Sequence, residues 1–217
     1  YSAASLFVTV VAVLKNGFGT FWSPFMFKNY KIYQPVIKMV HNYVIIMSGI
    51  IFSGILIFSD FFYLLLGKEF RQNQEILGFL LLNPIFMLIM ETTAYGISIA
   101  KKNIITLMSY IISMIVNVIG SYLGVKIIGL LGASVASAFS GLLLFIINTY
   151  FGQKYYCSIE NYKKTFFFVT LLIILAASFY VFYYTEKIFI FIAFSFLFFC
   201  IMLYKKEILL FCKKIKE

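Results

Sequence analysis

Long apolar stretches separated by short polar breaks run through the whole chain. A helix that crosses a membrane needs about 20 mostly apolar residues. Seven windows of this kind cover residues 3–27, 43–66, 76–100, 104–124, 127–150, 165–185 and 188–204. The pattern therefore predicts an all-α integral membrane protein with about seven transmembrane helices.

Two alternative structures fit this pattern less well: one long bent helix in place of the fourth and fifth spans, and a β-barrel. The fourth and fifth windows are separated by Gly124-Val125-Lys126 alone, but one bent helix of about 47 residues would be too long for a single span. A β-barrel would alternate apolar and polar residues in segments of about ten. Residues 44–51 and 189–199 are instead apolar at nearly every position, which favours helices.

The composition supports a membrane protein and excludes several other classes. Of the 217 residues, 63% are hydrophobic and 12% are charged, whereas soluble domains average about 25% charged residues. A soluble enzyme or a disordered chain could not carry this composition. The three cysteines, Cys157, Cys200 and Cys212, have no metal-ligand spacing and are interpreted as free thiols. No phosphate-binding glycine motif appears, so we expect no enzyme activity, no metal and no cofactor.

The net charge of +10 reflects orientation in the membrane and does not indicate nucleic-acid binding, because the basic residues lie in short gaps between apolar windows. Thirteen Lys or Arg residues fall in segments 28–42, 101–103, 151–164 and the tail from 205, and four fall in the alternate gaps. Cytoplasmic loops carry the excess of basic residues. The first span should therefore run from outside to inside, and the C-terminus should be cytoplasmic.

Four polar residues within the spans are candidates for a transport cavity: Lys15, Asn16, Glu91 and Asn117. A charge near the bilayer centre costs about 2.5–3.5 kcal/mol, so it usually faces a cavity or a partner. Lys15 either attracts an anionic substrate or is a paired structural lysine. Glu91 either carries a coupling proton or pairs with Lys15. Asn117 either contacts substrate or forms a hydrogen bond between helices.

Small residues crowd the fourth and fifth windows, and they predict close helix packing or a sliding surface. The candidates for packing are Gly120, Gly124, Gly129, Gly132, Ala133 and Ala136. Two further residues have simple interpretations. His41 is expected to be solvated in a cytoplasmic loop, and Trp22 is expected to be an anchor at the inner membrane interface.

An ordered set of short motifs resembles one family of transporters. Residues 1–4 (YSAA) and 21–25 (FWSPF) resemble the beginning and end of one helix of bacterial polysaccharide flippases. Residues 66–70 (LGKEF) resemble an outer turn of that family. Asn117, followed by Gly129 and residues 132–137 (GASVAS), resembles its Asn and Gly-Ala signature. Lys126 stands where the family commonly has proline.

The resemblance is to the O-antigen and capsular polysaccharide flippases of the multidrug and oligosaccharidyl-lipid exporter superfamily. It implies a piece of a longer protein of about fourteen helices. Residues 1–150 would be five helices of an incomplete C-terminal lobe, and 151–217 would be two extra helices with a basic cytoplasmic tail.

The implied function is export of a polyprenyl-diphosphate-linked oligosaccharide across the bacterial inner membrane by alternating access. Expected partners are the lipid-linked oligosaccharide, membrane lipids and other polysaccharide assembly proteins, with no nucleic acid. The alternatives are a cation-coupled exporter of small molecules and a membrane-embedded polymerase or acyltransferase. The second rival would need a large external loop with catalytic residues.

Overall fold

The computed structural model describes residues 2–66, 74–183 and 185–205. This part of the chain is 88% helical and contains no strand, so the prediction of an all-α chain is confirmed. The helices are α1 (Ser2–Asn29), α2 (Gln34–Ile57), α3 (Ser59–Leu66), α4 (Leu77–Met90), α5 (Tyr95–Ile99), α6 (Asn103–Ile128), α7 (Leu130–Tyr155), α8 (Tyr162–Val181) and α9 (Glu186–Leu203). A 3-10 turn, Gln74–Ile76, precedes α4.

Five of the described helices, α1, α2, α6, α7 and α8, are long and apolar enough to cross a membrane. The remaining two predicted windows differ from this pattern. The third is divided into α4 and α5 by a turn at residues 91–94, and the seventh corresponds to a shorter apolar helix, Ile188–Leu203. Residues 67–70 of the proposed outer-turn motif and the tail from 206 onwards lie outside the described residues.

Several predicted boundaries were wrong, each for a local reason. α2 begins at Gln34, because Pro35 in the first helical turn favours a helix start. The loop predicted at 28–42 is therefore much shorter. α6 continues to Ile128, past the predicted break at Gly124. The break is at Gly129, whose φ of +63° is favourable for glycine and unfavourable for a residue with a Cβ.

α4 is the central helix of the bundle and packs against α1, α2, α7 and α8. Its apolar residues point in every direction, as expected for a helix surrounded by others. Phe86 of α4 stacks on Phe145 of α7 and belongs to the main core, together with Phe52 of α2 and Phe168 of α8. Cys200 of α9 is also buried in this core as a free thiol.

α6 and α7 form a tight hairpin in which two backbones touch. A Cβ on Gly132 would lie 2.2 Å from the backbone carbon of Gly124, and a Cβ on Gly120 would lie 3.1 Å from the side chain of Ala136. Ala133 is half-buried beside this contact. Gly129, which was predicted among the packing residues, has nothing within 4 Å of its Cβ position and forms the turn instead.

The predicted basic segments meet at one end of the bundle. The Tyr156 hydroxyl donates to the Tyr30 carbonyl at 2.7 Å, and Lys102 Nζ donates to the Tyr155 hydroxyl at 3.3 Å. Lys164 lies 3.8 Å from the centre of the Tyr204 ring. These contacts join the segments around residues 30, 102, 155–164 and 204 at one end of the described bundle.

The opposite end is joined by a separate polar cluster. The Tyr183 hydroxyl, between α8 and α9, donates to Gln74 Oε1 and, at 3.4 Å, to Asp60 Oδ1. Burial and the neighbouring carboxylates raise the pKa of Tyr183, so the phenol stays protonated as a donor at neutral pH. The segment between α2 and α4 therefore lies beside the turn between α8 and α9.

We predict that Gly132→Ala lowers the free energy of unfolding by about 1–3 kcal/mol, because the added methyl must push the α6 and α7 backbones apart. Thermal unfolding of the purified protein in detergent would show this as a lower Tm. Gly17→Ala is the matched control, since nothing lies within 4 Å of a Cβ there and alanine is the better helix former. Equal Tm values for the two variants would contradict the close backbone contact.

Candidate functional site: a polar cleft between α1 and α6

A cleft opens between α1 and α6, with α4, α5 and α7 as its floor. α1 and α6 form its walls, and only 17% and 11% of their apolar windows are buried in the described bundle. One cavity of about 350 Å³ is lined from all of these helices. Tyr110 of α6 also lines a neighbouring cavity of about 220 Å³, and the two cavities together are called the groove below.

An ion pair lines the larger cavity. Lys15 Nζ of α1 is 3.6 Å from Glu91 Oε2, and the side chains are 25% and 18% exposed. The Tyr95 hydroxyl donates to Glu91 Oε1 at 3.2 Å. Gly19 makes room for this carboxylate, because a Cβ there would lie 2.7 Å from Oε1. Of the two hypotheses for Lys15 and Glu91, the geometry favours the pair.

The pair makes the local charge of the cavity close to zero, which changes the expected role of Lys15. An isolated lysine would attract any anion, whereas this ammonium already has a carboxylate beside it. An ammonium has three N–H donors, so Lys15 retains donors for a second group. The candidate Asn16 is exposed and does not line this cavity, so it lies apart from the pair.

The fourth candidate, Asn117, lines the smaller cavity on α6. Its Nδ2 donates to Ser140 Oγ of α7 at 2.8 Å, and its Oδ1 accepts from Ser121 at 3.4 Å. Asn117 therefore has the interhelical hydrogen bond that was one of its two interpretations. It also faces the groove, so the two interpretations are compatible.

The floor of the cleft is built around the turn between α4 and α5. Two of its backbone N–H groups bond three residues back, as in a 3-10 helix: Thr92 N to the Ile89 carbonyl at 3.2 Å and Thr93 N to the Met90 carbonyl at 2.9 Å. The Thr93 hydroxyl shares a 2.8 Å hydrogen bond with Thr149 of α7. The turn thus presents Glu91 to the cleft while its other side chains fix it to the bundle.

His41 is fully buried in α2, so the prediction of a solvated loop histidine was wrong. Its Nδ1 is 2.7 Å from the Thr92 hydroxyl, and its Nε2 is 3.1 Å from the Thr165 hydroxyl of α8. The Thr92 hydroxyl donates to the Ile89 carbonyl at 2.8 Å, so it can only accept from His41. The pattern places a proton on Nδ1, and the histidine links α8 to the turn behind Glu91.

Trp22 is also placed differently from the prediction of an interface anchor. The ring is 2% exposed and stacks between Phe18 and Phe25 of the same helix. It therefore packs within the protein at the basic end of α1. Its neighbour Ser23 lines the larger cavity.

Sequence reasoning missed most of the uncharged residues that line the groove. Thr106, Tyr110, Ser113 and Asn117 all line it from α6. Their spacing of four, three and four residues places them on one face of a helix. This polar stripe in an otherwise apolar helix was the signal that could have identified the wall.

We predict energetic coupling between Lys15 and Glu91. Lys15→Ala and Glu91→Ala should each destabilise the protein, because each leaves one charge without its partner in a partly buried position. The double variant should recover about 0.5–3 kcal/mol relative to the sum of the single changes. Thermal unfolding of the four proteins measures this coupling. Strictly additive changes would show that the pair does not contribute to stability.

The membrane assignment depends on helices that the described part of the chain contains, five of which could span a bilayer. Comparisons with protein-family models, curated proteins and solved structures found no match for this chain. The sequence and the fold together describe an all-α, multi-pass membrane protein with a polar cleft between two of its apolar helices.

Proposed function

We propose that this chain is part of an exporter that moves polyprenyl-diphosphate-linked oligosaccharides across the bacterial inner membrane by alternating access. The observation that carries the proposal is the cleft, where an ion pair and a row of hydroxyl and amide groups lie between two apolar helices. Polar groups are costly in a bilayer and usually line a pathway or a cavity. An interrupted helix at such a cleft is typical of transporters.

The helix pattern supports a topology of seven spans. α4, the turn and α5 together cover residues 77–99, which is long enough to cross a membrane as one interrupted span. α9 would be the seventh span. In this arrangement α1 to α7 belong to a partial transporter lobe, and α8 and α9 are two extra helices.

The cleft suggests how a diphosphate group would be held. Lys15 lies near the middle of α1, so it would meet an anion at about half the depth of the membrane. The anion would use the free N–H donors of the ammonium or displace Glu91 from it. The Tyr95 hydroxyl, which bonds Glu91, is positioned to change partner at the same time.

A cation-coupled exporter of small molecules is the second candidate, and Glu91 is the observation that favours it. Glu91 is 18% exposed to the cleft and is held by Lys15 and Tyr95. Binding of a proton or a cation at this carboxylate would release Lys15 and so change the contact between α1 and the turn. That exchange would couple ion binding to movement of α1.

We predict that Lys15→Ala lowers the initial rate of oligosaccharide flipping by at least about tenfold, as expected when a charge-assisted contact of 1.4 kcal/mol or more is lost. The full-length protein would be reconstituted in liposomes with a fluorescent polyprenyl-diphosphate oligosaccharide, and transfer would be read with an impermeant quencher. Lys31→Ala is the control, since Lys31 lies outside the cleft. Equal rates for both variants and wild type would contradict the role of Lys15, and the absence of flipping by wild type would contradict the proposed substrate.

We also predict opposite sidedness for the two ends of the bundle. In a variant without native cysteines, Thr185→Cys should react with an impermeant thiol reagent added to intact spheroplasts. Glu160→Cys should react only after permeabilisation, because the basic end is expected to be cytoplasmic. Both positions are exposed in the structure. Labelling of both from the same side would exclude the proposed topology.

A further inference from the structure

The smaller cavity has a chemistry of its own and is called the amide pocket below. Its polar lining comes from Asn83 of α4, Ser113 and Asn117 of α6, and Ser140 of α7, around a volume of about 220 Å³. None of the described residues that line it is charged. It differs in this respect from the adjoining cavity that contains Lys15 and Glu91.

The orientation of the amides in and beside the pocket is fixed by hydrogen bonds. Ser140 donates its hydroxyl proton to the Ser137 carbonyl at 2.9 Å, so it can only accept from Asn117. Asn83 Nδ2 lies 3.2 Å from Ser137 Oγ. In this arrangement the NH₂ groups point to neighbouring serines. The Asn117 amide oxygen accepts from Ser121 at 3.4 Å, and the Asn83 amide oxygen is left for another partner.

Two polar atoms of the amide pocket lack a partner among the described residues. Ser113 Oγ has none although the residue is 94% buried, with 6% of its surface exposed. Asn83 Oδ1 is likewise buried and accepts no hydrogen bond. A buried polar group without a partner costs about 1–3 kcal/mol, and native structures contain few of them. The pocket therefore offers a ligand one unused carbonyl acceptor and one unused hydroxyl, which can donate or accept.

We propose that the amide pocket binds the hydroxyl groups of a neutral sugar ring of the transported oligosaccharide, an inference that rests on the proposed function. A sugar hydroxyl donates one proton and accepts others, which complements a carbonyl oxygen and a serine hydroxyl. A cation is disfavoured, because the pocket has no carboxylate to offset its charge. Tyr110 lies between the two cavities, so the sugar would bind next to the charged group held at Lys15.

The test compares one reporter in each cavity of the full-length protein without native cysteines. Ser113→Cys reports on the amide pocket, and Ser98→Cys reports on the cavity of the ion pair. Each is labelled in membranes with a small polar thiol reagent in the presence of maltose or of inorganic pyrophosphate. Maltose should slow the labelling of Ser113→Cys about twofold at a concentration equal to its Kd, and pyrophosphate should slow only Ser98→Cys.

Three outcomes would overturn the inference. They are protection of neither position by maltose, protection of Ser98→Cys alone by maltose, and protection of Ser113→Cys by pyrophosphate. Failure of maltose to protect would indicate that water alone occupies the pocket. Because Ser113→Cys could fail to fold, Asn117→Leu gives a second measurement. It should raise the KM for flipping about threefold to tenfold with kcat unchanged, as expected for one lost hydrogen bond.

The two proposals can fail separately. If Asn117→Leu leaves KM unchanged while Lys15→Ala still slows flipping at least about tenfold, the amide pocket does not bind the sugar and the exporter proposal stands. If wild type does not flip the oligosaccharide but maltose still protects Ser113→Cys, the pocket binds sugar and the exporter proposal is wrong.

Discussion

The structure depends on how the polar side chains at the break in an interrupted helix find partners inside an apolar bundle. Where α4 stops and α5 begins, three consecutive polar side chains must find partners within the protein, because a bilayer supplies none. The partners come from three different helices: Lys15 on α1, His41 on α2 and Thr149 on α7. His41 extends the connection to Thr165 on α8. One turn of four residues thereby fixes the relative positions of most of the bundle.

The cleft is a consequence of the same arrangement. The threonines of the turn and their partners are sealed, since Thr92, Thr93 and Thr149 are at most 1% exposed. Glu91, the first residue of the turn, is its one polar side chain that faces the cleft. Lys15 approaches the Glu91 carboxylate from the side of the cleft, which places α1 along one side of the cleft. α6 packs against α7 and forms the other side. The polar groups of the groove therefore lie on a floor fixed to the bundle and on the facing sides of two otherwise apolar helices.

The sequence predicted the helical fold well and the site in part. Apolar windows located the long helices because twenty apolar residues have few alternatives to a spanning helix. The charges Lys15 and Glu91 were found because they are rare in such windows, but their distance could not be known from residues 76 positions apart. The environment of His41 was missed because the segment 28–42 was predicted to be a loop. α2 in fact begins at Gln34, with Pro35 in its first turn, so His41 lies in a buried part of that helix. Uncharged groove residues gave a weaker signal than charges.

The two walls of the cleft are attached by contacts of very different stiffness. α6 touches α7 through backbone atoms at Gly124 and Gly132, and such a contact cannot slide without a steric clash. α1 is held to α4 and the turn by contacts that involve side chains, among them the packing of Phe7 and Val11 and the ion pair of Lys15. These side chains can change rotamer while the backbone hydrogen bonds of both helices stay intact. The cleft can therefore change its width more easily by movement of α1 than by movement of α6. A wider ligand would be accommodated by tilting this helix against a hairpin that moves as a single body.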